Sequence, residues 1–222
     1  MADLSTNLID KAFYKDYEID QNRKKLEDIY RKYKKDIDKN SELSKIPVSV
    51  ILSFIFIESA GKENAVSPAN AYGLMQLTIP TAKETLWYEY KKDRLTNSEK
   101  EYMKELFGNR YTKLMNQLKL KQPSKIEITR DDLLNPRINL FLGTLYLGQL
   151  IDYFTEGNTI RIDKVIIAYN TGKYSKYTKI AKQEKGGVDS LISKLPKETA
   201  NYIVKLVGKN GVLDTSIDVV ST

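Results

Sequence analysis

From Ile46 to Ser59 the chain reads IPVSVILSFIFIES, an apolar run closed by a carboxylate, Glu58. No other stretch restricts the fold as strongly. The run is longer than a typical strand and too short to cross a bilayer, which needs about 20 residues. β-Branched residues would allow a buried strand. Pro47, however, suits a first helical turn, and Gly61 fits a helix stop. The reading is a buried helix that ends near Glu58 or Ser59. A carboxylate in apolar surroundings costs free energy, and its pKa tends to rise.

Other helical signals surround this one. Leu26, Ile29, Tyr30, Tyr33 and Ile37 recur at three- and four-residue steps. They predict an amphipathic helix from about Ile19 to Lys39, with NSEL (Asn40 to Leu43) as a break and new start. From Lys83 to about Lys125 the chain is charged and aromatic, which reads as one or two surface helices. KQPSKIEITRDD is loop-like, with Asp131 or Asp132 as a cap. NPRINLFLGTLYLGQLIDYF is a core helix. TIRIDKVIIAYNTG is a buried segment ended by Gly172, and KETANYIVKLVG is a helix stopped by Gly208. GVLDTSIDVVST, at the end, could fray or pair as a strand. The fold class is therefore mainly α-helical.

Composition removes several chemistries. With neither Cys nor His, the chain has no disulfide, no thiolate or imidazole metal site and no Ser-His-Asp triad. No metal and no cofactor is expected, and acid-base work would fall to Asp, Glu, Lys or Tyr. The net charge of +7 favours anionic surroundings. Lys and Arg are spread among Asp and Glu and not gathered with aromatics in a recognisable module, so nucleic acid is not an expected partner. The first 20 residues lack the basic and apolar regions of a secretory signal, and no membrane span is expected.

Three pieces stand out together. Glu58-Ser59 ends the apolar helix. Ser67-Pro68 opens a turn leading to Gly73-Leu74-Met75-Gln76. Ala168-Tyr169-Asn170-Thr171-Gly172 closes a buried segment, and Glu198-Thr199-Ala200-Asn201-Tyr202 follows. In this order they resemble the soluble lytic transglycosylase family, which shares its fold with goose-type lysozymes. The resemblance covers roughly residues 42 to 208. It implies a lysozyme-like helical domain over 41–210, with an N-terminal helical extension over 1–40 and a C-terminal tail over 211–222. An inserted segment at about 87–125 exceeds the family core.

The resemblance also implies an activity: cleavage of the β-1,4 bond between N-acetylmuramic acid and N-acetylglucosamine in peptidoglycan. Glu58 would be the single general acid and base, and the product a 1,6-anhydro ring. Ser67, Met75, Gln76, Thr78, Tyr169, Asn170 and Tyr202 would contact substrate. Tyr202 and Tyr169 could also orient the carboxyl. Thr78 stands where many members have Met, so one apolar wall of the site would differ.

Each residue has a plainer reading. Ser67-Pro68 is a common turn, Gln76 could be a surface amide, the tyrosines could be packing residues, and Asn170 could end a helix. Two functional alternatives stand beside the transglycosylase: a hydrolytic muramidase on the same fold, and a non-catalytic wall-binding or virion protein. The expected partner is a peptidoglycan glycan strand, with virion or secretion-apparatus components as further candidates. The expected place of action is the bacterial cell wall, with phage or mobile-element delivery as the preferred context.

Overall fold

Residues 9–221 are described by the computed structural model. The reading of the extreme N-terminus as lacking a secretory signal falls partly on residues 1–8, outside the described residues, as does Thr222. β1 (Ile9–Ala12) leads into α1 (Asp16–Ser44) and α2 (Val48–Ser59). A small sheet, β2 (Ala71–Tyr72) and β3 (Leu77–Thr78), precedes α3 (Ile79–Lys91), α4 (Asn97–Phe107), α5 (Tyr111–Leu118) and α6 (Arg130–Leu134). Then come α7 (Pro136–Tyr153), β4 (Thr155–Glu156), β5 (Thr159–Ile160), α8 (Ile162–Thr171), α9 (Lys176–Gln183) and α10 (Val188–Ile192). α11 (Lys197–Val207), β6 (Gly208–Lys209) and α12 (Val212–Ser221) complete the described chain.

Four local expectations are corrected. NSEL does not interrupt the first helix: α1 runs through it to Ser44 and stops where Lys45 takes φ +61° ahead of Ile46-Pro47. Pro47 disfavours helical backbone in the residue before it, so the break belongs there. The boundary expected at residues 40–41 thus falls inside a helix. The charged segment to Lys125 holds three helices plus 3₁₀ turns at Gly108–Arg110 and Pro123–Lys125, more than the one or two expected. α6 is capped by Thr129, whose side chain accepts from the Asp132 N–H while Asp132 bonds back, so Asp132 completes the box. The last dozen residues form α12, with Val212, Thr215, Ser216 and Val219 buried. That is helical spacing, which the β-branched composition hides.

The chain divides into two compact units, and the division passes through α1, α2 and α7. The terminal unit comprises residues up to Lys32, Val48–Ile57 and residues from Leu147 onward. Its centre is α8, buried at every position from Ile162 to Tyr169. α8 packs on α9 and α11, and α11 packs on α12 and β1. The Ser53 and Ser216 hydroxyls lie 2.9 Å apart, both buried, which ties α2 to α12 without an unsatisfied polar group. β1 lies parallel to β6. A Cβ on Gly208 would sit 2.5 Å from the Val204 carbonyl oxygen and 2.6 Å from that of Lys11, so only glycine admits this approach.

Lys164 is fully buried within this unit. A buried ammonium needs partners. Its Nζ donates to Glu156 Oε1 at 3.0 Å and to the Glu184 carbonyl at 2.9 Å.

The central unit comprises Tyr33–Pro47 and Glu58–Tyr146. Asn40 of α1 is buried; its Nδ2 donates to the Asp36 carbonyl at 2.8 Å, and its Oδ1 accepts from Thr144 of α7 at 3.2 Å. Arg137 bridges Asp36 at 3.1 Å and Glu105 at 2.5 Å. Trp87 Nε1 donates to the Leu120 carbonyl at 2.8 Å, closing the inserted helices onto α3. Among the described residues no helix is long and apolar enough to cross a membrane.

Candidate active site

α2 brings Glu58 to a helix end. Val50, Ile51, Leu52, Phe54 and Ile55 are buried, and Glu58 is half-buried. The helix stops because Ala60 and Gly61 both take left-handed backbone, φ +51° and +75°. Buried Ser59 accepts from the Gly61 N–H at 3.2 Å, securing the turn. A clamp from α1 sits on the same turn. The buried Tyr33 hydroxyl lies 2.6 Å from Glu63 Oε2 and 3.3 Å from the Gly61 carbonyl. By its helical spacing alone, Tyr33 reads as a packing residue.

The next residues build a hairpin. β2 and β3 pair antiparallel with Ala71 opposite Thr78 and Tyr72 opposite Leu77, so Gly73 to Gln76 form the loop. Val66 bridges Tyr72 on the other side. Ser67 Oγ accepts from the Ala71 N–H at 3.1 Å, and the Ser67 N–H donates to the Ala71 carbonyl at 2.9 Å. Ser67 thus closes the turn while its hydroxyl proton has no acceptor among the described residues. Gln76 adopts φ +46°, and its Nε2 donates to the Gly73 carbonyl at 2.9 Å and the Ala65 carbonyl at 3.2 Å. Its amide nitrogen is therefore spent on the loop, and its Oε1 remains as an acceptor.

Two further expected residues take structural parts. Met75 is fully buried, with no surface to offer a substrate in this conformation. It lies against Gly143 of α7, where a Cβ would come within 2.4 Å of the Met75 sulfur. Thr78 is the N-cap of α3, accepting from the Thr81 N–H at 3.3 Å. Sequence reasoning missed what holds the loop. Asn139 of α7, fully buried, donates through Nδ2 to the Tyr72 and Leu133 carbonyls, each at 2.8 Å. Its Oδ1 accepts from the Met75 N–H at 2.7 Å. Gly73, at φ +76°, passes so close to this amide that a Cβ would meet it at 2.4 Å. An Asn inside an apolar helix was the available signal, since a buried amide requires partners.

The structure thus places Met75, Gln76 and Thr78 in one hairpin, and Ser67 in the turn leading into it, after Glu58 in the central unit. Tyr169, Asn170 and Tyr202 belong to the terminal unit, on α8 and α11. Tyr169 is buried, its ring centroid 4.7 Å from that of Phe54, while Asn170 and Tyr202 are half-buried. α8 ends at Gly172, φ +92°. Beyond it Thr178 Oγ1 donates to the Gly172 carbonyl at 2.7 Å and Ser175 caps α9.

A cavity of about 430 Å³ in the central unit is lined by Lys35, Asp36, Lys39, Glu42, Tyr102 and Arg137, among others, and by none of the motif residues. Its charges largely answer one another, through the Arg137 bridges and a Lys39–Glu42 pair at 3.1 Å. Burial pushes the Tyr102 phenol upward, Asp36 adding to the effect. Among the described residues no cluster of His, Cys, Asp and Glu could hold a metal ion.

These features define a helical protein with one half-buried carboxylate at a helix end and a pinned polar hairpin after it. The Transglycosylase SLT domain family model matches residues 35–120 and 110–192, and the chain belongs to that family. A curated relative, membrane-bound lytic murein transglycosylase C of Glaesserella parasuis serovar 5 (strain SH0165), is 33% identical over 130 residues, 57% of this chain and 27% of the relative. The fold matches the lytic transglycosylase Slt of Pseudomonas aeruginosa, solved as an inactive Glu-to-Gln mutant. The TM-score is 0.55 at 20% identity, over 85% of this chain and 24% of that one. The chain spans about a quarter of the length of each of these proteins.

Proposed function

We propose that this chain is a peptidoglycan lytic transglycosylase domain acting on the bond between N-acetylmuramic acid and N-acetylglucosamine, with Glu58 as its single acid and base. The observation that carries the reading is Glu58 itself: a half-buried carboxylate at the end of an apolar helix, in a chain of this family. Cleaving a glycosidic bond requires a proton on a poor leaving oxygen. Glu58 donates it, the C1–oxygen bond breaks, and the substrate's acetamido group stabilises the positive charge at C1. The Glu58 carboxylate then takes the proton from the muramic acid C6 hydroxyl, whose oxygen bonds to C1. No water is consumed, and Glu58 ends protonated as it began.

The Ser67 hydroxyl proton and Gln76 Oε1 are one donor and one acceptor on a fixed hairpin, suited to an acetamido group or sugar hydroxyls. Met75 and Thr78 act in this reading by shaping that hairpin. By motif alone, Tyr169, Asn170 and Tyr202 are assigned to sugar contacts. Use in wall penetration or lysis, in a phage or mobile element, is a further part of the proposal that rests on the family's chemistry only.

The test is digestion of purified peptidoglycan with product analysis by mass spectrometry. Wild type should release anhydro-muropeptides, and Glu58→Gln should lose roughly 10²- to 10⁴-fold in rate, the usual contribution of a general acid, with an unchanged melting curve. Reducing-end products, heavier by one water, would instead identify a hydrolytic muramidase.

A further inference from the structure

Past Gly172 the chain reads KYSKYTKIAKQEK, with a lysine at every third position: Lys173, Lys176, Lys179, Lys182 and Lys185. Three residues advance a helix by about 300°, so successive lysines on α9 drift by only about 60°. Lys176, Lys179 and Lys182 therefore share one side. The other side is buried through Thr178 and Ala181, where α9 packs on α8. Lys176, Lys179, Lys182 and Lys185 are exposed, and among the described residues none of the four forms an ion pair. The segment's one carboxylate, Glu184, is taken by Lys194 and the Gly186 N–H. Like charges three residues apart on a helix repel, and the fold engages Lys182 of this row by a hydrogen bond to the Tyr153 carbonyl.

The segment is also held firmly. Lys164 Nζ bonds the Glu184 carbonyl at 2.9 Å, Arg161 bonds the Gly186 carbonyl at 3.2 Å, and Lys182 bonds the Tyr153 carbonyl at 2.7 Å. Beside the lysines lie exposed aromatic rings: Tyr174 is 72% and Tyr153 39% exposed. Lys182 stands 4.4 Å from the Tyr153 ring centroid, and Lys176 stands 4.9 Å from that of Tyr177.

We infer that this lysine–tyrosine face docks a phosphodiester-linked polyol polymer of the bacterial wall. Lysine is a point charge, suited to a row of monoanionic phosphates that require no planar fork, and no arginine follows Arg161 in the chain. Exposed phenol rings offer flat apolar surface to the polyol carbons between phosphates. The inference rests on the proposed wall activity only for where the polymer is met, and docking can be measured apart from cleavage.

The probe is labelled poly(glycerol phosphate) wall polymer, read by fluorescence anisotropy against the full chain while salt rises from about 50 to 200 mM. Wild type should bind and weaken with salt. The combined variant Lys176→Gln, Lys179→Gln, Lys185→Gln should bind at least about tenfold more weakly at low salt, with a log–log salt slope smaller by about two to three. Tyr174→Ala should lose roughly threefold with the slope unchanged, because it removes apolar contact and no charge. A triple variant that binds like wild type overturns the proposal. So does single-stranded DNA of matched charge that binds as tightly as the polymer, since the face would then be an unselective polyanion surface. Cleavage of peptidoglycan stripped of the polymer should be equal in wild type and triple variant. Absence of cleavage in both would sink the enzymatic reading while leaving the docking result standing.

Discussion

The hairpin around Gln76 and the lysine segment after Gly172 are both short polar stretches that follow an apolar helix, yet they are fixed by opposite means. Neutral hydrogen bonds hold the hairpin: Asn139 to three backbone groups, the Gln76 amide to two carbonyls, Ser67 to a turn N–H. Charged groups hold the lysine segment: Lys164, Arg161 and Lys194 on Glu184, Gly186 and their surroundings. A neutral scaffold keeps its geometry as salt and pH vary and adds no charge to a hairpin proposed to hold a sugar. A charged scaffold suits a surface that meets polyanions. Rigidity in this protein is therefore supplied in two electrostatic styles, matched to what each stretch is proposed to face.

The sharpest way to break the comparison is to remove the neutral scaffold. Asn139→Ala leaves the Met75 N–H and two carbonyls without their partner, deep in the protein. It should cost about 2–4 kcal/mol in urea unfolding and reduce cleavage, with little dependence on salt. A loss that vanishes at high salt would show the hairpin is held by something other than these bonds.

A smaller effect is expected at the turn after Glu58. Tyr33→Phe removes one hydroxyl bonded to a carboxylate and should cost about 1–2 kcal/mol. If the clamp positions Glu58, kcat should fall more than KM changes. Equal kcat would make Tyr33 a purely structural residue.

The smallest effect tests the charged scaffold. Glu184 is held at about 2, chiefly by its bond from Lys194, with the Gly186 N–H next. A carboxylate depressed in the folded state stabilises above its ordinary value of 4.5 and loses that stabilisation as pH falls through about 2. Glu184→Gln should accordingly flatten the pH dependence of the melting temperature between those limits and lower it slightly, by a constant amount, at higher pH. An identical acid profile in both proteins would show that this pair contributes nothing to folding.

How much of this was readable from sequence follows the range of the forces involved. The apolar run ending in Glu58, the core helix from Pro136, and the stops at Gly172 and Gly208 are set by spacing and by residues adjacent in the chain. So is the order of the motifs. The lysine row is equally visible as KYSKYTKIAK, but a row of lysines on a helix is ordinarily a solvated face. Which side of α9 is buried, and that Glu184 is already engaged, required the folded chain.

Sequence alone therefore determined the helical class, the position of Glu58 and the turn that follows it, because helix periodicity and turn chemistry act over a few residues. Only the tertiary structure decided that Met75 is buried, that Tyr33 grips the turn after Glu58 and that Asn139 pins the loop. The Tyr33 hydroxyl and the Asn139 amide reach the turn and the loop across 28 to 67 positions. A bond across that distance leaves no periodic trace, since it depends on which helix faces arrive together once apolar surface is buried.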